Sequence, residues 1–226
     1  MPLSIDRATV ARVAPFLAYM GFLALRGALP AQPDGGFDAR WVYGLGSLAV
    51  GALLWHYRHE YVELARLNRP SARETALAVA VGLAVFGAWI HLDAPWMTLD
   101  VDAVGFQPTT PDGQPLWAQI GMRWIGATLL VPVMEELFWR SFLMRWLHQQ
   151  DFVKLPAQQV GLRALLLSTF AFMLAHPLWL AAIVAGLAYA WLYVRTGRLW
   201  VPVTAHAVTN GALGLWVVAT GNWQFW

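Results

Sequence analysis

The chain predicts an all-α fold: a polytopic integral membrane helix bundle with about seven transmembrane helices and an eighth crossing left open, forming a single membrane domain over residues 1–226. Three observations predict it. Of the 226 residues, 58% are hydrophobic and only 12% are charged, with mean hydropathy +0.49, a composition foreign to disordered chains and unusual for water-soluble domains. The apolar residues gather into windows able to cross about 30 Å of hydrocarbon. The basic residues fall in the gaps between those windows and favour one side.

The first window, Thr9 to Leu29, follows Arg7 and Arg12. It holds Arg26 and lacks a small-residue cleavage site, so it reads as a retained helix rather than a signal peptide. The next windows are Trp41 to Tyr57 and Thr75 to Leu92. Between them, Tyr57, Tyr61, Leu64 and Leu67 recur at helical spacing in a charged stretch, which predicts an amphipathic helix lying in the interface. Gly46 and Gly51, and later Gly211 and Gly214, read as points of close helix approach. The fourth window, Ile120 to Leu147, is long and carries Arg123, Glu135, Glu136 and Arg140, with Arg123 expected to snorkel outward. Ala164 to His176 is short, and Pro177 disfavours helix at His176, so this helix should stop within the membrane where it lines a cavity. Leu178 to Val194 and Leu199 to Thr220 complete the set, with Pro202 suited to a first helical turn.

Tryptophans near the ends of these windows, such as Trp41, Trp55, Trp117 and Trp146, fit an aromatic belt. With seven crossings, Arg7, Arg12, Arg58, Arg66, Arg69, Arg73, Arg145, Lys154, Arg163, Arg195 and Arg198 share one side, whereas Arg26 and Arg40 take the other. The positive-inside rule therefore places the N-terminus in the cytoplasm and the C-terminus outside; arginine outnumbers lysine by 14 to 1, which fits a GC-rich bacterial gene and hence a bacterial inner membrane. The longest outer loop, His91 to Pro115, holds Asp93, Asp100, Asp102 and Asp112 and reads as a solvated loop. Basic residues scattered in short loops argue against a nucleic-acid partner. The absence of cysteine removes disulfides, cysteine nucleophiles and sulfur-ligated metals.

Glu135 and Glu136 are the chemical anomaly. An ionisable group near the bilayer centre costs roughly 2.5–3.5 kcal/mol on insertion scales and marks a functional site by default. Glu136 and Arg140 are i and i+4 and share a helix face; Glu135 is turned away by about 100°. One glutamate is thus expected to pair with Arg140, leaving the other for a further task, unless all three merely lock helices together.

Few later residues can do acid–base work: His176, His206 and Asn210, the last two again at i and i+4. At about 1.5 Å rise per residue, Glu135 lies roughly 15 Å from Arg145, His206 roughly 12 Å from Arg198 and His176 roughly 20 Å from Arg163. Those depths are compatible with one shared cavity. His56, His91 and His148 fall at predicted helix ends and read as interfacial residues.

Glu135-Glu136-x-x-x-Arg140, Phe172-x-x-x-His176 and His206-x-x-x-Asn210, in this order on three membrane helices, resemble the CPBP (Abi, or CAAX protease and bacteriocin-processing) family of glutamate-type intramembrane proteases. That family is related to the eukaryotic Rce1 CAAX endoprotease, and some bacterial members accompany exosortase-dependent sorting. The resemblance covers about 124–212, within a catalytic core of about 117–220. It implies that Glu135 activates water, that His176 assists in proton transfer or water positioning, and that His206 and Asn210 stabilise an oxyanion. Glu136, Arg140 and Phe172 would support them.

The expected partners are a membrane-associated protein or peptide substrate and the lipid bilayer; nothing in the sequence sets an oligomeric state. No cofactor and no metal are expected. A zinc hydrolase using Glu135, His176 and His206 is the competing enzymatic reading, but H-E-x-x-H is absent. The non-enzymatic alternative is a scaffold, immunity factor or sorting accessory that keeps the polar cluster to bind a protein.

Overall fold

The computed structural model describes residues 6–29, 37–99 and 105–226. Asp100 and Asp102 lie outside the described residues. Seven long helices run through the described residues: α1 (Arg7–Ala28), α2 (Trp41–His56), α3 (Ala72–Trp89), α4 (117–146), α5 (Leu162–Leu174), α6 (Trp179–Thr196) and α7 (Trp200–Thr220). They coincide with the seven apolar windows. Four of them, α1, α3, α6 and α7, are individually long and apolar enough to cross a membrane. α5 is a shorter apolar helix.

Local chemistry sets the helix ends. Asp6 caps α1 by accepting from the Thr9 amide. Ser71 and Glu74 form a reciprocal capping box at the start of α3. Gly197 and Gly221 end α6 and α7 in the left-handed conformation that glycine adopts without strain. α4 is irregular: α-helical turns at Trp117–Ile125 and Val131–Glu136 are each followed by a π-helical stretch, Gly126–Leu130 and Leu137–Met144. Pro132 has no amide hydrogen and crowds the carbonyl four residues back, and the first π stretch absorbs that conflict.

α3 packs most extensively along α7, α1 along α2, and α5 along α6, while α4 threads the middle and touches α1, α2, α5 and α7. The α3–α7 crossing is close because Gly82 faces α7 with no side chain: a Cβ there would lie 2.4 Å from the Ala205 carbonyl oxygen. Gly46, Gly211 and Gly214 likewise meet neighbouring side chains; Gly51 has only ordinary contact distance around it and needs no such explanation.

The predicted amphipathic helix after α2 does not form. The segment makes three single 3-10 turns, Arg58–Glu60, Val62–Leu64 and Arg66–Asn68, and Leu67 is 96% exposed. Its inward residues are held instead by specific polar bonds. Glu63 is buried and meets Arg12 of α1 at 2.7 Å and Arg145 of α4 at 3.3 Å, while the Ser141 hydroxyl also donates to it. The Tyr61 hydroxyl donates to the Ala11 carbonyl oxygen, and Arg12 and Arg145 both stack on Phe152. Arg7 bonds Glu60 and Arg198 bonds Glu74 on the same face. Arg26 and Arg40 stand at the opposite end, against Phe106 and the Gln107 and Thr109 carbonyl oxygens. Arg7, Arg12, Arg145 and Arg198 thus gather at one end and Arg26 and Arg40 at the other.

Burial pushes the Glu63 carboxyl up, but Arg12, Ser141 and Arg145 outweigh it and hold the group below its ordinary value of 4.5. A carboxyl lowered in the folded state adds stability above its unfolded value and loses it as pH falls through the folded one. Thermal unfolding in lipid nanodiscs should therefore show the natural chain losing stability in acid below about pH 4. Glu63→Gln, which leaves two buried guanidinium groups uncompensated, should cost about 3–5 kcal/mol near neutral pH and flatten that acid limb.

Candidate active site

Glu135 and Glu136 lie in the short α-helical stretch between the two π segments of α4, and they diverge as their spacing requires. Glu136 is fully buried. Its Oε1 sits 2.9 Å from His206 Nδ1 and 3.2 Å from Arg140 Nη1. The arginine contact is an ion pair with poor hydrogen-bond direction, and Glu136 Oε2 has no partner. Arg140 Nη2 reaches the Gly186 carbonyl oxygen at 3.4 Å, and its guanidinium lies over Phe172 (4.5 Å) and Tyr189 (5.4 Å). Glu136 therefore joins α4 to α7 directly and to α6 through Arg140.

Glu135 makes no hydrogen bond or ion pair among the described residues, and its Oε2 is buried without a partner. It lines a cavity of about 620 Å³, as do His176, His206 and Asn210. Glu136 and Arg140 are absent from that lining. The cavity also runs past Tyr189, Thr209 and Arg123 to Asp93, Thr98, Gly105 and Trp226, so it opens at the end opposite the Glu63 cluster.

His176 follows the end of α5 at Leu174, beyond which Pro177 blocks further helix. Its Nδ1 lies 2.7 Å from the Phe172 carbonyl oxygen. A carbonyl only accepts, so Nδ1 carries a proton and Nε2 of the neutral ring is left with a lone pair. The Phe172 ring contacts both Arg140 and His176, its centre 4.2 Å from that of the imidazole and tilted 33° to it. The short fifth window thus corresponds to a helix ending at the cavity.

His206 is held from two sides. Glu136 accepts at Nδ1, and the Tyr189 ring stacks on the imidazole with centroids 5.0 Å apart. With a proton on Nδ1, a second N–H at Nε2 exists only in the imidazolium form. Asn210, one turn further, donates from Nδ2 to the Ala127 carbonyl oxygen at 2.9 Å, which fixes its amide and leaves a second N–H on that nitrogen. Ala127 lies in the first π stretch, so the irregularity of α4 supplies the acceptor that orients Asn210.

Two contributors escaped the sequence. Tyr189 donates to Thr209 Oγ1 (2.7 Å), and Thr209 bonds the Gly82 carbonyl oxygen (2.8 Å), linking α6, α7 and α3 behind His206. Thr209 beside Asn210 was the available signal. Arg123, expected to snorkel, instead packs among Tyr43, Phe106 and Trp226. Glu135, His176 and His206 do not converge as a zinc set: among the described residues no group of three or more His, Cys, Asp or Glu side chains is placed to hold a metal ion.

No curated protein and no solved structure matches the chain. Residues 117–212, which span α4 to the middle of α7 and include Glu135, Glu136, Arg140, Phe172, His176, His206 and Asn210, match the model of the Rce1-like family, described as type II CAAX prenyl endopeptidase Rce1-like, the family to which the three motifs pointed.

Proposed function

We propose that this chain is an intramembrane endopeptidase that hydrolyses a peptide bond of a membrane-associated protein or peptide, with Glu135 as the base that activates water. The Rce1-like match suggests a membrane endopeptidase. The single observation that carries the finer reading is the division of the glutamate pair. Glu136 is engaged by Arg140 and His206, whereas Glu135 is unpaired in a cavity shared with His176, His206 and Asn210.

In this reading Glu135 takes a proton from water as the water oxygen adds to the scissile carbonyl, and the His176 Nε2 lone pair holds that water by its other proton. The carbonyl oxygen becomes an oxyanion facing the free Asn210 N–H and His206 Nε2–H. His206 donates there only with a proton on each ring nitrogen, its Nδ1–H being accepted by Glu136. Collapse of the tetrahedral intermediate breaks the C–N bond, and the proton on Glu135 passes to the departing amine. Fixed donors in a site shielded from bulk water are commonly the largest catalytic contribution.

The placement we propose is a bacterial inner membrane, crossed seven times, with the arginine-rich face in the cytoplasm. The cavity then opens outward, and its substrate is reached from the outer side. A prenylated tail is no part of this proposal.

Cells carrying the natural chain and cells carrying Glu135→Gln should differ in the termini of their membrane proteins, read by mass spectrometry. A terminus present with the natural chain and missing with an equally abundant, membrane-inserted variant names the substrate; identical termini would contradict the proposal. Against that substrate, Asn210→Ala should lower kcat by about 10²–10³ with little change in KM, as measured by steady-state cleavage in nanodiscs.

A further inference from the structure

The outer part of the cavity contains a cation without a counter-ion among the described residues. Arg123 lies on α4, on the stretch Trp117–Ile125, and lines the same cavity as Glu135. Its guanidinium carbon lies 4.7 Å from the Tyr43 ring centre, 4.8 Å from Phe106 and 5.7 Å from Trp226. Its Nε and Nη1 are buried with no hydrogen-bond partner among the described residues. Arg26 lies 5.1 Å from the same Phe106 ring, outside the cavity lining, so a second positive group stands nearby. No carboxylate among the described residues forms an ion pair with either arginine. Asp38 is committed to Arg40 and Gln119. Asp93, on the cavity rim, is exposed.

Aromatic faces stabilise a guanidinium but offer its N–H groups no acceptor. A forked cation held rigidly, short of acceptors and reinforced by a second like charge is suited to a planar carboxylate. We propose that Arg123, with Arg26 against the same Phe106 ring, is a subsite for an acidic side chain of the bound peptide. This rests on the reading that the cavity takes a peptide. The distance gives the register. Arg123 precedes Glu135 on the same helix by roughly 18 Å of axial rise, and an extended chain covers that in about five residues. The recognised carboxylate therefore stands about five residues from the cleaved bond, on the part of the substrate nearest the cavity mouth.

The test uses the full chain in phosphatidylcholine nanodiscs and two matched sets of short apolar peptides, blocked at both ends and carrying a neutral fluorophore. The sets differ only in Glu or Gln about five residues from the centre. Binding is read by fluorescence anisotropy and cleavage in parallel. The natural chain should bind the Glu set roughly tenfold more tightly, as expected for a charge-assisted bond. Arg123→Gln should abolish the preference, and Arg123→Lys, which keeps the charge but loses the fork, should weaken it. Should the Gln variant fail to assemble, the Lys variant decides. Preference without cleavage upholds the subsite and contradicts the peptidase reading; cleavage without preference does the reverse. Equal affinity for both sets, or Arg123-dependent retention of phosphatidylglycerol in place of any peptide preference, overturns the subsite.

Discussion

The buried contact of Glu136 with Arg140 and His206 is the constraint on which the rest of the site depends. A carboxylate with no exposure is tolerated only where opposite charge and hydrogen bonds replace water, and both come here from side chains on the bundle axis. One partner lies a turn further along α4; the other comes from α7. Satisfying Glu136 therefore fixes how the two helices are rotated toward each other. That rotation aims Glu135, the neighbouring residue, into the cavity and turns the free nitrogen of His206 the same way.

Two other polar assemblies hold the ends of α4. Toward the arginine-rich face, Ser141 and Arg145 are tied through Glu63 to Arg12 of α1. Toward the cavity mouth, Arg123 is wedged among aromatic rings from α2, the segment before α4 and the chain end. Between these anchors the helix departs from regular α geometry on both sides of the glutamates. π stretches recur at functional sites because they let one side chain be re-aimed without breaking the helix. Here the first also offers the Ala127 carbonyl that orients Asn210.

Much of this was legible in the sequence, for identifiable reasons. Long apolar runs separated by basic loops locate the helices, because a bilayer imposes length and composition directly. The split between Glu135 and Glu136 followed from i, i+4 spacing, and the pairing with Arg140 survives even though Arg140 sits in a π stretch, since one extra residue per several turns displaces a long side chain little. What was hidden is non-local. The spacing of Tyr57, Tyr61, Leu64 and Leu67 fits an amphipathic helix equally well, but the Arg12–Glu63 bond, between residues far apart in sequence, favours separate turns. Arg123 read as a snorkelling residue because its cage is assembled from Tyr43, Phe106 and Trp226, which no local pattern connects. The resemblance implied an oxyanion-stabilising role for His206, but its bond to Glu136, which no local pattern connects, restricts the protonation state in which it can donate. Pro132 was the one local hint of the irregular helix.

The account makes the two adjacent glutamates opposites: one holds the bundle together, the other is kept at a cost to stability. Equilibrium unfolding of Glu135→Gln and Glu136→Gln in the same nanodiscs tests this directly. Glu136→Gln strands Arg140 and His206 and should destabilise the fold by about 3–5 kcal/mol, whereas Glu135→Gln alters a carboxyl with no hydrogen-bond or ion-pair partner among the described residues and should leave stability unchanged or raised. Equal losses from both variants, or a loss confined to Glu135→Gln, would contradict the division of labour on which the proposed chemistry stands.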